Sequence, residues 1–426
     1  MFISNLPETV KMITDKRVIK MFLEIHNKYK KDPKYSLQKI LKAGRNMSGG
    51  EKIIRFEDKY ILTSFLPPVP SKAFMTNINA VRNENTPYQD RMLSKRTAPV
   101  SIYLSITNKC PHKCSYCSQK GRKKDTELDT KQWIKTIKKL QDMNTSIIGF
   151  TGGEPLTRKD LEELVSSVDD RSITYLFTSG TGLTLKKAKA LKKAGLFGMS
   201  ISLDSHIESI HNEVRGSKNA FNDSINAIRN SVDAGIYTMI QVVASKEILN
   251  KKALFKLFKF AASLNVHEVK ILEPIRSGEL LSKNQKNIFF NQKDKDKLTK
   301  LQYMANKKRN FPKITVFTNT ESADRYGCGA GTQHSYISSS GDLYPCDFAP
   351  MSFGNIKDES IKKLWMNMTE AIGIPKYKCY AQEINKKVYK ISAGVLPLSP
   401  ELSFKLAKST QSKEFPMVYK ILQGKD

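Results

Sequence analysis

The sequence predicts an α/β protein: a partial (β/α)6 parallel barrel, preceded by an α+β region and followed by a small auxiliary domain. Three observations carry this. Between residues 100 and 275, short runs rich in β-branched residues alternate with longer lysine-rich segments of helical period, the pattern of strands and crossover helices in a parallel sheet. Each strand run is apolar nearly throughout, as strands covered on both faces are. A length of 426 residues exceeds what one compact core holds and predicts two or three domains, for which 39% apolar residues suffice.

In chain order, residues 1–96 form an accessory region with one amphipathic helix, "ETVKMITDKRVIKMFLEIHNKYK", and a hairpin, "KIIRFEDKYILTSF". "LPPVPSKAF" then acts as a rigid connector, because its prolines suit neither element. The barrel, 97–275, has strands at 100–107, 146–152, 173–179, 198–204, 237–245 and 267–273, with helices at 129–143, 158–168, 184–194, 219–234 and 250–263. Its chemistry belongs at the C-terminal ends of the strands, where barrels carry their functional loops. Residues 276–385 hold a charged helix near 292–309 and a glycine-rich segment whose hairpin, "YISSSGDLYPC", turns at "SSG". The last stretch, 386–426, reads as a loosely ordered tail.

Composition narrows the function. No apolar run approaches the roughly 18 residues of a spanning helix, and the N-terminus lacks the basic, apolar and small-residue succession of a secretory signal, so a cytoplasmic location is expected. Six cysteines in short groups do not make a disulfide scaffold; in a reducing compartment such groups hold metal or do redox work. The balance of 71 Lys+Arg against 41 Asp+Glu, net +30, favours an anionic partner. The lysines are scattered rather than gathered into a patch, which argues against nucleic acid.

Half of the cysteines fall within "CPHKCSYC", residues 110–117, directly after the first barrel strand. Three thiolates on one tight loop suit three irons of a [4Fe–4S] cluster and leave the fourth iron open to a ligand. Zinc is the competing reading, with His112 completing Cys110, Cys114 and Cys117, although structural zinc sites more often join two separated ligand pairs. Three further motifs favour iron. "TGGEP", 151–155, ends the second strand: Gly152 and Gly153 admit a ligand close to the backbone, and Glu154, followed by Pro155, offers its carboxylate to an ammonium group. In "SISLDS", 200–205, Ser202 and Asp204 point to the same side of the fourth strand, a hydroxyl and a carboxylate suited to a ribose. Arg215 in "EVRGS" can clamp a carboxylate. Together these residues ask for a ligand with an amino group, a carboxylate and a ribose beside an open iron, which describes S-adenosylmethionine (SAM).

On these motifs the chain resembles the radical SAM enzymes over residues 98 to about 275, with "CPHKCSYC" after the first strand, "GGEP" after the second, "TSG" after the third, "SISLDS" on the fourth and "HNEVRG" following it. The resemblance implies that the amino and carboxylate groups of SAM chelate the open iron held by Cys110, Cys114 and Cys117, and that Tyr116 lies near the adenine. It also implies an electron donor of flavodoxin or ferredoxin type, reductive cleavage of SAM to a 5'-deoxyadenosyl radical, and removal of hydrogen from a substrate. Ser179 of "TSG" departs from the asparagine that many members carry.

The segment "CGAGTQHSYISSSGDLYPCDF", from Cys328 to Cys346, with "FGNI" at 353–356 and a helix containing "LWMN", is similar to the SPASM extension of the same superfamily, which houses auxiliary iron–sulfur clusters. The full extension has seven cysteines with a dense group at its end, where this chain has Cys379 alone. That excludes two full clusters and implies a shortened, twitch-like form with one auxiliary cluster on Cys328, Cys346 and Cys379, and His334 or Asp347 as candidate fourth ligand. A decayed extension without metal is the competing reading. The expected substrate is a peptide or protein whose leader the N-terminal region holds. Alternatives are a small anionic metabolite or lipid, with the basic N-terminal helix on a membrane surface, and a non-catalytic zinc-stapled binding protein.

Overall fold

The computed structural model describes residues 6–32, 35–81, 96–123, 125–283 and 287–425; parts of the expected accessory region, 1–5, 33–34 and 82–95, lie outside them. A hairpin of β1 (Ile54–Phe56) and β2 (Lys59–Ile61) precedes the barrel strands β3 (Ser101–Ser105), β4 (Ile147–Thr151), β5 (Ile173–Thr178), β6 (Gly198–Ser202), β7 (Tyr237–Val243) and β8 (Glu268–Leu272). All six barrel strands fall inside the ranges expected from sequence. Helices Thr130–Asp142, Leu161–Ser166, Leu185–Lys193, Ala220–Asp233 and Lys251–Ser263 make the crossovers between them, and their buried faces close the core over the sheet.

Two additions extend this sheet. β9 (Lys313–Val316) pairs with β8, and β10 (His334–Ile337) pairs with β3, both parallel; β11 (Leu343–Tyr344) then folds back antiparallel on β10. The order is β11-β10-β3-β4-β5-β6-β7-β8-β9, an open barrel with β11 and β9 as its edges. The cysteine-bearing hairpin β10–β11 is therefore continuous with the barrel. It covers the free edge of β3, whose backbone groups would otherwise lack partners. β9 escaped the sequence reading because it opens on a lysine. Lys313 is fully buried, its ammonium donating to the Glu51 carboxylate and to the carbonyls of Lys52 (3.0 Å) and Leu62 (2.9 Å). Burial of a charge is tolerable with such partners, and none of them is near in sequence.

Those partners come from the N-terminal region, which closes the floor of the barrel. Ile61 and Ala73 pack against Val100, Ile147, Ile173, Tyr175 and Tyr237 at the N-terminal ends of the strands. The single helix expected over residues 8–30 is two, Leu6–Thr14 and Lys16–Tyr29, because Asp15 caps the second by accepting from the Arg17 N–H (2.9 Å). Its buried face, Val18, Met21, Ile25 and Tyr29, packs on Tyr60 and Val69. "LPPVPSKAF" is more than a connector: Val69 exchanges both backbone hydrogen bonds with Tyr60 (2.6 and 2.9 Å), and Ser71 caps the helix Lys72–Asn79.

The expected loose tail is also corrected. Within that stretch, residues 386–425 continue the helix Tyr380–Ile391 and add Pro400–Ser409 and Met417–Gln423. Val418, Ile421 and Leu422 bury against Ala43 of the helix Leu37–Ser48, so the chain's end locks onto its beginning. Their spacing is that of one helical face, obscured in the sequence by the surrounding prolines. No helix of the described residues is long and apolar enough to cross a membrane.

Candidate iron–sulfur and SAM site

The loop carrying Cys110, Cys114 and Cys117 leaves the C-terminal end of β3 and is held by three other segments. The N–H groups of Gly153 and Glu154 donate to the carbonyls of Thr107 and Lys109 (both 2.7 Å). The N–H groups of Lys113 and Ser115 donate to the carbonyls of Arg215 (3.2 Å) and Val214 (3.0 Å), satisfying the end of the helix Glu208–Arg215. The N–H of Glu279 donates to the Cys117 carbonyl (2.9 Å), a contact no motif signalled. Two glycines permit these approaches: with φ of +144° and +52°, Gly152 and Gly278 would place a side-chain carbon 2.3 Å from the Thr107 carbonyl and 2.1 Å from that of Cys117.

Cys110 is exposed, Cys114 and Cys117 are half-buried, and all are free thiols. Among the described residues, the one set of three ligand atoms within 4.8 Å of each other is His334, Cys346 and Asp347. The loop thiols stand wider apart than a single tetrahedral ion with bonds of about 2.3 Å requires. His112, the expected fourth zinc ligand, instead shares a hydrogen bond between Nε2 and Thr181 Oγ1 (2.9 Å), and burial lowers its pKa to about 4. A triad wider than a single ion requires suits a cluster better than zinc, although the His112 Nδ1 is buried without a partner.

The polar residues of the motifs hold one another. Glu154 is buried, and its carboxylate receives four donors: Leu156 N–H (3.0 Å) and Thr178 Oγ–H (2.5 Å) on Oε1, and Ser179 N–H (2.7 Å) and Oγ–H (2.5 Å) on Oε2. Four bonds fill a carboxylate, so the side chain expected to meet an ammonium group fixes the second and third strand ends to each other. Ser179 gains its role here, as the partner of Glu154. On the opposite wall, Tyr116 Oη donates to Asp204 Oδ2 (2.7 Å) and accepts from Arg215 (2.8 Å), while the Val243 N–H donates to Asp204 Oδ1 (3.0 Å). Tyr116, Asp204 and Arg215 thus form one mostly buried chain. Ser202, at the end of β6, is half-buried, and its carbonyl accepts from Ser224 Oγ (2.9 Å). Sequence reasoning missed His211, whose buried Nδ1 accepts the Asp204 N–H (3.1 Å); the signal lay in "HNEVRG".

The second cysteine group comes together from three segments. Cys328 exchanges both backbone bonds with Lys376 (2.9 Å each), Cys379 precedes the helix Tyr380–Ile391, and the β10–β11 hairpin delivers Cys346. The Cys328 and Cys379 thiols lie near enough to interact. Asp347 Oδ1 lies 3.3 Å from Cys346 Sγ and 3.6 Å from His334 Nε2, while His334 Nδ1 is engaged with Ser101 Oγ (2.8 Å).

Residues 104–248 match the family model described as the radical SAM superfamily, and residues 328–383 match SPASM, described as an iron-sulfur cluster-binding domain. The chain belongs to the radical SAM superfamily. It is a radical SAM enzyme with a SPASM domain, and its cofactors are a [4Fe–4S] cluster, SAM and an auxiliary iron–sulfur cluster. Streptococcus suis SuiB bound to S-adenosylmethionine is 16% identical, with a TM-score of 0.53 and 68% of each chain covered. SuiB bound to precursor peptide SuiA is 16% identical, with a TM-score of 0.54 and 75% of each chain covered. Native anSMEcpe with bound AdoMet is 18% identical, with a TM-score of 0.51, covering 76% of this chain and 96% of that one. At these identities the likeness is one of fold.

In this radical SAM enzyme a cavity of about 530 Å³ connects Thr151, the residue before the GGEP motif, to the three SPASM cysteines. Tyr103, Phe177, Phe65 and Phe317 supply apolar wall. Its charged lining is acidic despite the basic chain: Glu273, Glu321, Asp324, Asp347 and Glu383 against Lys295 and Lys378.

Proposed function

We propose that this enzyme modifies a side chain of a peptide or protein, with Cys110, Cys114 and Cys117 holding the [4Fe–4S] cluster and Cys328, Cys346 and Cys379 the auxiliary cluster. The cavity running from the strand end that bears GGEP to the second cysteine group carries the reading. Its volume lies in the range of small-molecule sites and suits one residue and its flanking backbone. SuiB bound to a precursor peptide supports it. When bound, the reduced cluster and SAM supply one-electron chemistry able to remove hydrogen from an unactivated C–H bond, with the electron from a flavodoxin- or ferredoxin-type donor in the cytoplasm. The chain's own part is placement. Glu154 and Ser179 hold the GGEP backbone against the cysteine loop, leaving Gly152 and Gly153 to line SAM, while Pro155 starts the turn that presents Glu154. The Tyr116–Asp204–Arg215 chain, with Ser202, walls the adenosine side, and the aromatic lining excludes water from the reacting carbon. An anionic metabolite or lipid fits less well, because the cavity lining is itself acidic.

Two measurements test this. In a variant with Cys110, Cys114 and Cys117 all changed to Ala, about four irons should remain after anaerobic reconstitution, on the cuboidal model; none remaining would remove the auxiliary cluster. The reconstituted wild type with SAM and reductant should yield 5'-deoxyadenosine together with a mass change in a peptide encoded beside it. Failure with every such peptide, alongside turnover of a small anionic metabolite, would overturn the peptide reading.

A further inference from the structure

We infer that the cavity selects a substrate group bearing positive charge, a lysine- or arginine-type cation, with Glu321 as its principal partner. The inference rests on the proposed function for the site and names the chemistry of what enters it. In a chain of net charge +30, an arbitrary interior lining would not be expected to be acidic. Here Glu273, Glu321 and Asp347 line the inner cavity, opposed by the ammonium of Lys295. That ammonium is committed to Glu273 Oε1 (2.8 Å), and Glu273 Oε2 is buried without a hydrogen-bond partner on a side chain 6% exposed. Thr318 Oγ1, on the same wall, is likewise buried and unpartnered. Asp347 has His334 beside it (3.6 Å).

Glu321 is left. It follows the short helix Phe317–Thr320 that leaves β9, and no hydrogen bond or ion pair joins its carboxylate to another described residue. Glu321 is half-buried, and a carboxylate partly withdrawn from water without a partner is costly, a cost that a cation entering the cavity would relieve. Phe65 and Phe317, whose rings meet edge to face at 5.0 Å, offer apolar surface to the methylene stem of a lysine or arginine and ring faces to its charge. Three thiolates on the auxiliary cluster would add negative charge to the same wall. A carboxylate or phosphate substrate would meet repulsion from every charged side except Lys295 and Lys378.

The test uses the reconstituted, SAM-loaded protein and calorimetric binding of the peptides Gly-Gly-Xaa-Gly-Gly, with Xaa lysine, norleucine or glutamate, and of free n-butylammonium. The lysine peptide should bind about tenfold or more tightly than its norleucine analogue, as expected for a desolvated charge pair, with the glutamate peptide weakest. Glu321→Gln should abolish the lysine preference and leave norleucine binding unchanged. It keeps the side chain's shape and breaks no hydrogen bond, and the lysine-to-norleucine change in the peptide tests the same charge without altering the protein. Equal binding of the lysine and norleucine peptides, preference for glutamate, or no binding of any cationic probe overturns the inference. Butylammonium binding that depends on Glu321, without binding of the lysine peptide, would keep the cation site and remove the peptide reading. Peptide binding indifferent to charge would do the reverse.

Discussion

Replacing Glu154 by glutamine distinguishes a carboxylate that builds the site from one that meets the ligand. In the structure Oε2 takes the Ser179 N–H at 2.7 Å and the Ser179 hydroxyl at 2.5 Å, and Oε1 takes the Leu156 N–H and the Thr178 hydroxyl. An amide NH2 at Oε2 turns an acceptor into a donor. The Ser179 hydroxyl can rotate to accept from it, but the Ser179 N–H loses its partner in a buried place, which costs about 1–3 kcal/mol. The other bonds lose the assistance of the charge, which roughly doubles such interactions, so the total is about 3 kcal/mol. At about 1.4 kcal/mol per decade that is roughly a hundredfold shift in local opening. Amide hydrogen exchange in protein free of iron and SAM reads it directly: the Ser179 amide should exchange roughly a hundredfold faster in Glu154→Gln, with Leu156 following. Unchanged exchange at Ser179, together with weakened SAM binding, would refute the reasoning and return Glu154 to the role of ligand acceptor.

Two other perturbations probe the frame around the site. Glu51→Ala strands the buried Lys313 ammonium and also removes the acceptor of Gln302 (3.0 Å), so stability should fall by about 3–5 kcal/mol. A lower thermal midpoint, largely restored in Glu51→Leu/Lys313→Met, would confirm the closed floor, and an unchanged midpoint would remove it. His211 gives a pH dependence: burial lowers its pKa from 6.5 to about 4, although Asp204 pulls upward. The folded state therefore favours the neutral ring, so the His211 contribution to stability is intact above pH 6.5 and declines by about 1.4 kcal/mol per pH unit as pH falls from there towards 4. Titration of its ring proton resonances should give a midpoint near 4; one near 6.5 would show that the ring is not held neutral by burial.

The barrel was legible because its signals are local. Each strand from β3 to β8 is an apolar run a few residues long, each crossover helix shows its own period, and the cysteine loop, GGEP, Ser202 with Asp204, and Arg215 were placed by the strand ends they follow. Parallel strands all finish at one end, so motifs scattered over a hundred residues converge without further information. The spacing of Cys328, Cys346 and Cys379 likewise announced a second group. Other features depended on contacts between distant parts of the chain. Nothing near Lys313 signals that Glu51, 262 residues away, will neutralise it and let β9 form. Nor does the hairpin at Cys346 signal that His334 will align with Ser101 and make the auxiliary segment part of the barrel sheet. The same holds for Glu154, whose capacity is consumed by Leu156, Thr178 and Ser179, and for Glu321, which packing leaves half-buried without a partner. Periodicity and spacing are properties of a short window of chain and can be read there; whether a charged side chain is filled, neutralised or left waiting depends on which distant groups packing brings to it, and that the tertiary structure alone decided.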